Sequence, residues 1–321
     1  MHKNEEIIFL STKGVKMEEI VFQGEVAGCV AEQVIREREF AMTTRHFHES
    51  YEVYVLLDGS RYYFIENETY LVEAGMIVLV GRNQIHKTTM AGERSYHNRI
   101  LLQLDAEVWD SWLKKCGMPP LEELFILCEH VVECEKEDFI KILQCLDSMK
   151  KEMKERKECW DKAVQIKILE ILMTLYRSRK EEIWYSSRER QEREQERKGY
   201  EADTVRHKKV HEVAEYLQKY CETGENMDEI SRRFFVSKSY LSRIFKEVTG
   251  FTVNEYQTMA RMKRAKELLA GTELSVTEIA AMTGFGNITY FERVFKRYTD
   301  KKPLQYRKEY RSSKSIRWQV I

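Results

Sequence analysis

Proline is scarce in this chain, at 3 residues in 321. Proline breaks helix interiors, so its scarcity leaves long helices open and argues against a Pro-rich linker or fibrous protein. Long apolar runs are missing too: no stretch approaches the ~20 residues needed to cross a bilayer, and no membrane partner is expected. The opening Met1–Leu10, MHKNEEIIFL, sets two glutamates before a very short apolar stretch, unlike a secretory signal. The seven cysteines, Cys29, Cys116, Cys128, Cys134, Cys145, Cys159 and Cys221, are odd in number, scattered and without a CxxC pair. They read as reduced thiols of a cytoplasmic protein, with a Cys128–Cys134 redox pair as the minor alternative. Net charge is absent as well, since 53 basic residues balance 53 acidic ones. Residues 201–321 nevertheless hold 23 Lys and Arg against 16 Asp and Glu, leaving 30 against 37 in the first 200. A basic C-terminal module follows an acidic N-terminal one, the direction expected if the second neutralises phosphates.

What the chain does have is a repeat. Phe235–Tyr256 reads FVSKSYLSRIFKEVTGFTVNEY and Phe285–Tyr306 reads FGNITYFERVFKRYTDKKPLQY. A gapless overlay matches Phe235/Phe285, Tyr240/Tyr290, Arg243/Arg293, Phe245/Phe295, Lys246/Lys296, Thr249/Thr299 and Tyr256/Tyr306, which indicates a duplicated supersecondary unit. Each copy has a short helix upstream, Met227–Phe234 and Ser275–Met282, as a helix-turn-helix requires. Ser237 and Asn287 stand at the N-caps of the second helices, and Ser275 with Glu278 fits a capping box. Tyr240, Leu241, Ile244 and Phe245 form one predicted buried stripe, and Tyr290, Phe291, Val294 and Phe295 the other. Lys238, Ser239, Ser242, Arg243 and Lys246 are left facing outward in the first copy, with Ile288, Thr289, Glu292, Arg293 and Lys296 in the second. Two basic outward faces point to double-stranded DNA.

These blocks, with the linking Arg261–Leu269 and the closing PLQYR at Pro303–Arg307, resemble the AraC/XylS transcription regulators over about 105 residues. Ser231 stands where the family usually has Ala, Lys302 replaces a Ser or Thr, and Asp300 replaces a Gly at the end of the second recognition helix. Asp tolerates left-handed geometry better than most residues, so the turn should survive. The resemblance implies sequence-specific DNA binding, control by a small molecule, and no catalysis.

The first hundred residues read differently. Short runs rich in Val, Ile, Leu and Tyr are separated by Asp58-Gly59, Glu66-Asn67, Ala74-Gly75 and Gly81-Arg82-Asn83, the spacing of an antiparallel barrel or jelly roll. His46-Phe47-His48 with Glu52 and Gly59, then Gly75 with His86, resemble the two cupin motifs. Strand parity would point His46, His48 and Glu52 into the barrel. With His86 they form either a hydrogen-bonding pocket for a polar effector such as a sugar, or a site for Fe, Mn, Ni or Zn. Tyr54, Tyr62 and Phe64 are the expected stacking walls.

Between the modules, Pro119–Trp184 carries helical stripes at Phe139, Ile142, Leu143, Leu146, Met149 and Met153, and at Val164, Ile168, Ile171, Leu172 and Leu175. They can pack on the barrel, and the family resemblance implies that a helix here also pairs protomers. The expected class is α+β: a cupin-like sensor barrel over 18–105 behind an arm at 1–17, then a helical dimerisation segment at 106–185. A charged linker at 186–203, an all-α double helix-turn-helix at 204–312 and a tail at 313–321 follow. Expected partners are operator DNA, an effector, a second copy, and RNA polymerase if the protein activates. No cofactor is expected unless the cupin site holds a metal. The competing readings are a metal-dependent cupin enzyme or metal sensor with a DNA-binding appendage, and a DNA binder with no effector.

Overall fold

The computed structural model describes residues 18–37, 47–91, 96–186 and 204–317. The expected arm, His46 and nearly all of the charged linker lie outside them. The described residues form eight strands, β1 (Glu18–Val26), β2 (Cys29–Arg36), β3 (Tyr51–Ile65), β4 (Glu68–Glu73), β5 (Met76–Val80), β6 (His86–Met90), β7 (His97–Leu104) and, after two helices, β8 (Val131–Glu133). Their order is β1-β2-β7-β3-β5-β8, with β4 and β6 both pairing the far half of β3, and every pairing is antiparallel.

Strand β3 shapes this module. Asp58-Gly59, expected as a turn, does not end it; the strand runs on for 15 residues. Its register against β7 slips between Leu56 and Asp58, a bulge that carries the second half into the other sheet. Gly59, at φ +90°, lets the bend close, because a Cβ there would stand 2.4 Å from the Tyr96 carbonyl oxygen. The extra residue also inverts side-chain parity. Tyr54 and Leu56 before the bulge, and Tyr63 and Ile65 after it, therefore share the barrel interior with Val72, Val78 and Val80.

The other face of the first sheet, with Val53, Val55, Ile77, Leu79, Ile100 and Leu102, is covered by helices. These are α1 (Ala106–Lys115), α2 (Leu121–Leu127), α3 (Lys136–Glu155) and α4 (Trp160–Ser186). Ile142, Leu146, Met149 and Met153 of α3, with Val164, Ile168, Ile171, Leu172 and Leu175 of α4, are buried in that core, while Phe139 and Leu143 pack at its edge. Both stripes are thus used within one protomer.

The C-terminal module begins with α5 (Thr204–Lys219). The first helix-turn-helix is α6 (Met227–Arg233) and α7 (Lys238–Thr249), and α8 (Val253–Gly271) leads to the second, α9 (Val276–Met282) and α10 (Ile288–Thr299). Helix α11 runs on from Pro303 to Arg317, where a tail from 313 was expected. Side-chain caps on Asn226, Ser237, Thr252, Ser275 and Asn287 mark the helix starts. Gly250 and Asp300 end the two recognition helices at φ 75° and 60°, the left-handed geometry that Asp300 was expected to tolerate. In each copy the preceding threonine, Thr249 or Thr299, bonds back to the carbonyl of Phe245 or Phe295.

The gapless overlay fails in one place. The turn joining α9 to α10 is one residue longer than its counterpart, so Phe235 occupies the left-handed position of Gly284 (φ 55° and 75°). Phe285 is buried, whereas Phe235 is 96% exposed. Tyr290 also leaves its expected stripe for the surface, and Ile288 packs on the core. Among the described residues, no helix is long and apolar enough to cross a membrane.

Candidate effector pocket and nucleic-acid interface

The polar cluster at one end of the barrel is built on β3. Glu52 is buried there; Tyr63, eleven residues on but on the same interior face because of the bulge, donates its hydroxyl to Glu52 Oε1 at 2.6 Å. His48, in the bend before β3, places Nε2 3.2 Å from Glu52 Oε2, and His86, at the start of β6, places its own 3.7 Å away. The Nδ1 atoms face backbone carbonyls, His48 that of Ser50 at 2.9 Å and His86 that of Gln84 at 2.8 Å. Carbonyl and carboxylate oxygens only accept, so each such bond is donated by a ring N–H. Burial works to raise the Glu52 carboxyl, but the hydrogen bonds and charges of His48 and His86 outweigh it and hold it well below the usual range. Burial would likewise lower His86, and Glu52 overrides it upward. The Glu52 carboxylate therefore favours a positive charge beside it, a protonated His86 or a bound cation.

His48, Glu52 and His86 are brought together, with Tyr54 further along the same interior. Tyr62 and Phe64, expected as pocket walls, are on the opposite face of β3. Phe64 joins the core of the C-terminal module, 5.8 Å from the Tyr256 ring. Tyr62 lines a cleft of about 130 Å³ with Thr69, Thr89, Arg206, His207 and Glu247. The parity inversion moves both, and it puts Tyr63, which sequence reading passed over, on the acid.

The residues beside the two histidines hold the helical module. Phe47 stacks on Tyr298 at 5.5 Å between ring centroids, and Ile85 enters the same core. Glu49 pairs with Lys266 of α8 at 2.9 Å, Asn83 accepts from the same ammonium at 2.5 Å, and Lys87 donates to the Gly250 carbonyl at 2.6 Å. At the β3–β4 turn, Glu66 receives Gln218 at 2.9 Å and Lys263 at 2.8 Å, while its carbonyl accepts from Tyr256 at 2.5 Å. Burial raises the Glu49 carboxyl, but Lys266 and Arg82 bring it down to about 2; burial lowers Lys266 against the pull of Glu49. The pair fixes geometry more than it stabilises, because Lys266 is buried and without the half-exposed Glu49 would be a buried charge.

The outward faces of α7 and α10 stay open. Ser239, Ser242, Arg243 and Lys246 are exposed on the first, and Thr289, Glu292, Arg293 and Lys296 on the second. Arg243 lies over the Tyr240 ring at 5.7 Å and Arg293 over Tyr290 at 5.3 Å, the same support in both copies. The Ser237 hydroxyl and the Asn287 amide oxygen are taken by the Tyr240 and Tyr290 backbone N–H groups. Lys238 is drawn to Asp228 at 3.1 Å.

Comparison with known proteins agrees with this division. Residues 34–171 match the AraC-like ligand binding domain, and residues 230–309 match a helix-turn-helix domain. The "Msm operon regulatory protein" of Streptococcus mutans is 33% identical over 100 residues, 31% of this chain and 36% of that protein. The "Xylose operon regulatory protein" of Escherichia coli is 32% identical over 98 residues, 30% of this chain and 25% of its own. An uncharacterized helix-turn-helix regulator of Escherichia coli, YijO, is 32% identical over 100 residues, 31% of this chain and 35% of that protein. The chain thus spans about a third or less of the length of these relatives. Among solved structures, the C-terminal domain of AraT from Geobacillus stearothermophilus is 33% identical, covering 32% of this chain and 84% of that one with a TM-score of 0.31.

Proposed function

We propose that this chain, which belongs to the AraC/XylS family of transcription regulators through both of its domains, is a cytoplasmic DNA-binding regulator switched by a small molecule in its barrel. One observation carries the reading: the residues flanking His48 and His86 are the ones that grip the DNA reader. A ligand that repositions either imidazole shifts Phe47, Glu49, Ile85 or Lys87 with it, and so changes how α7 and α10 are held. Helix α8, at 19 residues, is about 28 Å long. It can seat the two recognition helices in successive major grooves, which lie ~34 Å apart on one side of a duplex. Base contacts fall to Ser239, Ser242, Arg243, Thr289, Glu292 and Arg293, and phosphate contacts to Lys246 and Lys296. The relatives named for sugar operons support a sugar-derived effector. RNA polymerase is the further partner if the protein activates. A second copy, excluded from the buried α3 and α4 stripes, would pair through other surface, and light scattering at micromolar concentration reads the stoichiometry.

Selection from random double-stranded DNA tests the function. A bipartite site with half-sites one turn apart is expected, with an affinity that candidate sugars change in the wild type and not in Glu52→Gln. An enriched pool with no sequence preference would overturn it.

The same cluster supports a second reading, a metal-assisted pocket. The three ligand atoms of His48, Glu52 and His86 lie within 4.8 Å of one another, and two imidazoles with one carboxylate suit Fe, Mn, Ni or Zn with positions left open. The ion would supply a Lewis-acid anchor for the effector. Elemental analysis after equilibration with each metal should show one equivalent bound, lost in His48→Ala; no bound metal removes this reading.

A further inference from the structure

The barrel interior carries a second polar group, beyond the histidine cluster. Arg99 of β7 pairs with Val34 of β2 and with Leu56 of β3. Directly opposed residues share a face, and Leu56 belongs to the interior, so Arg99 points inward. Arg61 pairs with Val72, another interior residue. Arg61 and Arg99 are 2% and 6% exposed. Glu32, diagonal to Arg99, takes one guanidinium nitrogen, Nη2, at 2.6 Å. The other, Nη1, is buried with no hydrogen-bond partner, and so is the hydroxyl of Tyr54, which is 4% exposed. Glu52 is already engaged by His48, His86 and Tyr63. Burial pushes the Tyr54 phenol up to about 12, with Arg99, Arg61 and Arg36 as the charges acting against it. The hydroxyl is a donor within the field of guanidinium groups.

Two buried donors on one interior face of the barrel, left without acceptors, are costly to keep unless something completes them. We propose that they are completed by an anion: Arg99 Nη1 and Tyr54 Oη donate to a carboxylate or phosphate group of the effector, Arg61 adds its charge, and Leu56, Ile65 and Val78 hold the apolar remainder. The inference deepens the effector reading above and rests on it. A neutral hydroxyl could accept one such bond, but only an anionic group takes charge-assisted bonds from both donors. The effector is then a sugar acid, a sugar phosphate or a comparable small organic anion, and the histidine cluster reads its other end.

Inorganic phosphate is the probe. The full-length protein is melted in rising phosphate against chloride at matched ionic strength, as wild type, Arg99→Gln and Tyr54→Phe. Phosphate on the basic recognition helices is common to all three and cancels in the comparison. The wild type should show an additional saturable rise in melting temperature, with apparent affinity lowered about tenfold in Arg99→Gln and several-fold in Tyr54→Phe. Tyr54→Phe removes a hydroxyl that holds nothing in the protein, so it stays folded and informative if Arg99→Gln does not. Identical titrations of wild type and Tyr54→Phe overturn the anion site. Glucuronate, glucose 6-phosphate and glucose then separate carboxylate, phosphate and neutral ligands, and glucose binding as well as either anion also overturns it while leaving the effector reading standing. Phosphate bound at Arg99, with the two anionic sugars leaving selected-site DNA affinity unchanged, has the opposite meaning: the anion site stands, and its role as an effector site falls.

Discussion

Glu52 keeps its charge in a buried place because its donors surround it, and Tyr63 supplies the shortest of those bonds. Tyr63→Phe should destabilise the protein by about 1–3 kcal/mol, since a buried acceptor loses a partner that water cannot replace; urea midpoints at constant slope measure it. Phe235 is the reverse case. It stands at φ 55° with its ring in solvent, so its backbone strain is not offset by packing. Phe235→Gly should raise stability by about 1 kcal/mol, relief of strain outweighing the entropy of glycine, and a thermal melt showing a loss instead would mean that the ring has a partner. The polar cluster was legible residue by residue for His48, Glu52 and His86, because a spacing of polar residues survives any bend of the chain. Tyr63 and Arg99 were not, since their inward direction depends on where β3 slips its register.

Among elements, the recognition helices repeat down to their supports: each has a capped start, a left-handed end and an arginine laid over a tyrosine three residues earlier. Arg243→Ala should weaken binding to the selected DNA by about 1–3 kcal/mol and leave random DNA nearly unaffected. Fluorescence anisotropy on both DNAs decides it, and equal losses would demote Arg243 to a phosphate contact. Lys246→Ala, near the C-terminal end of α7, should weaken both alike and reduce the salt slope by about one unit. The helices, their caps and their outward faces could be read from sequence because helix period and cap chemistry are local. The β3 bulge and the longer second turn could not. Each is a single extra residue whose placement depends on a neighbouring element: Gly59 closing on the His97 backbone in one case, Phe285 sinking into the core in the other. The stripes on α3 and α4 were equally visible, but periodicity cannot say whether a barrel or a second protomer covers them.

At the scale of the whole molecule, the modules share a core: Phe47, Phe64 and Ile85 of the barrel are packed among residues of α5, α7, α8 and α10. Phe64→Ala should cost about 3–5 kcal/mol. It should also leave DNA affinity less responsive to whatever ligand the wild type senses, measured as the ratio of affinities with and without it. Full coupling in the variant would show that the signal passes through Glu49 and Lys266 instead. A shared core also bears on how such a chain can change over generations. A sensor exchanged by recombination at the charged stretch after Ser186 would arrive without the side chains that fill the reader, and the hybrid would have both a new ligand and a hole beneath its recognition helices. New specificities are reached more readily by substitution inside the barrel, at positions such as Tyr54 and Arg99, which face away from the shared core and leave the docking residues in place.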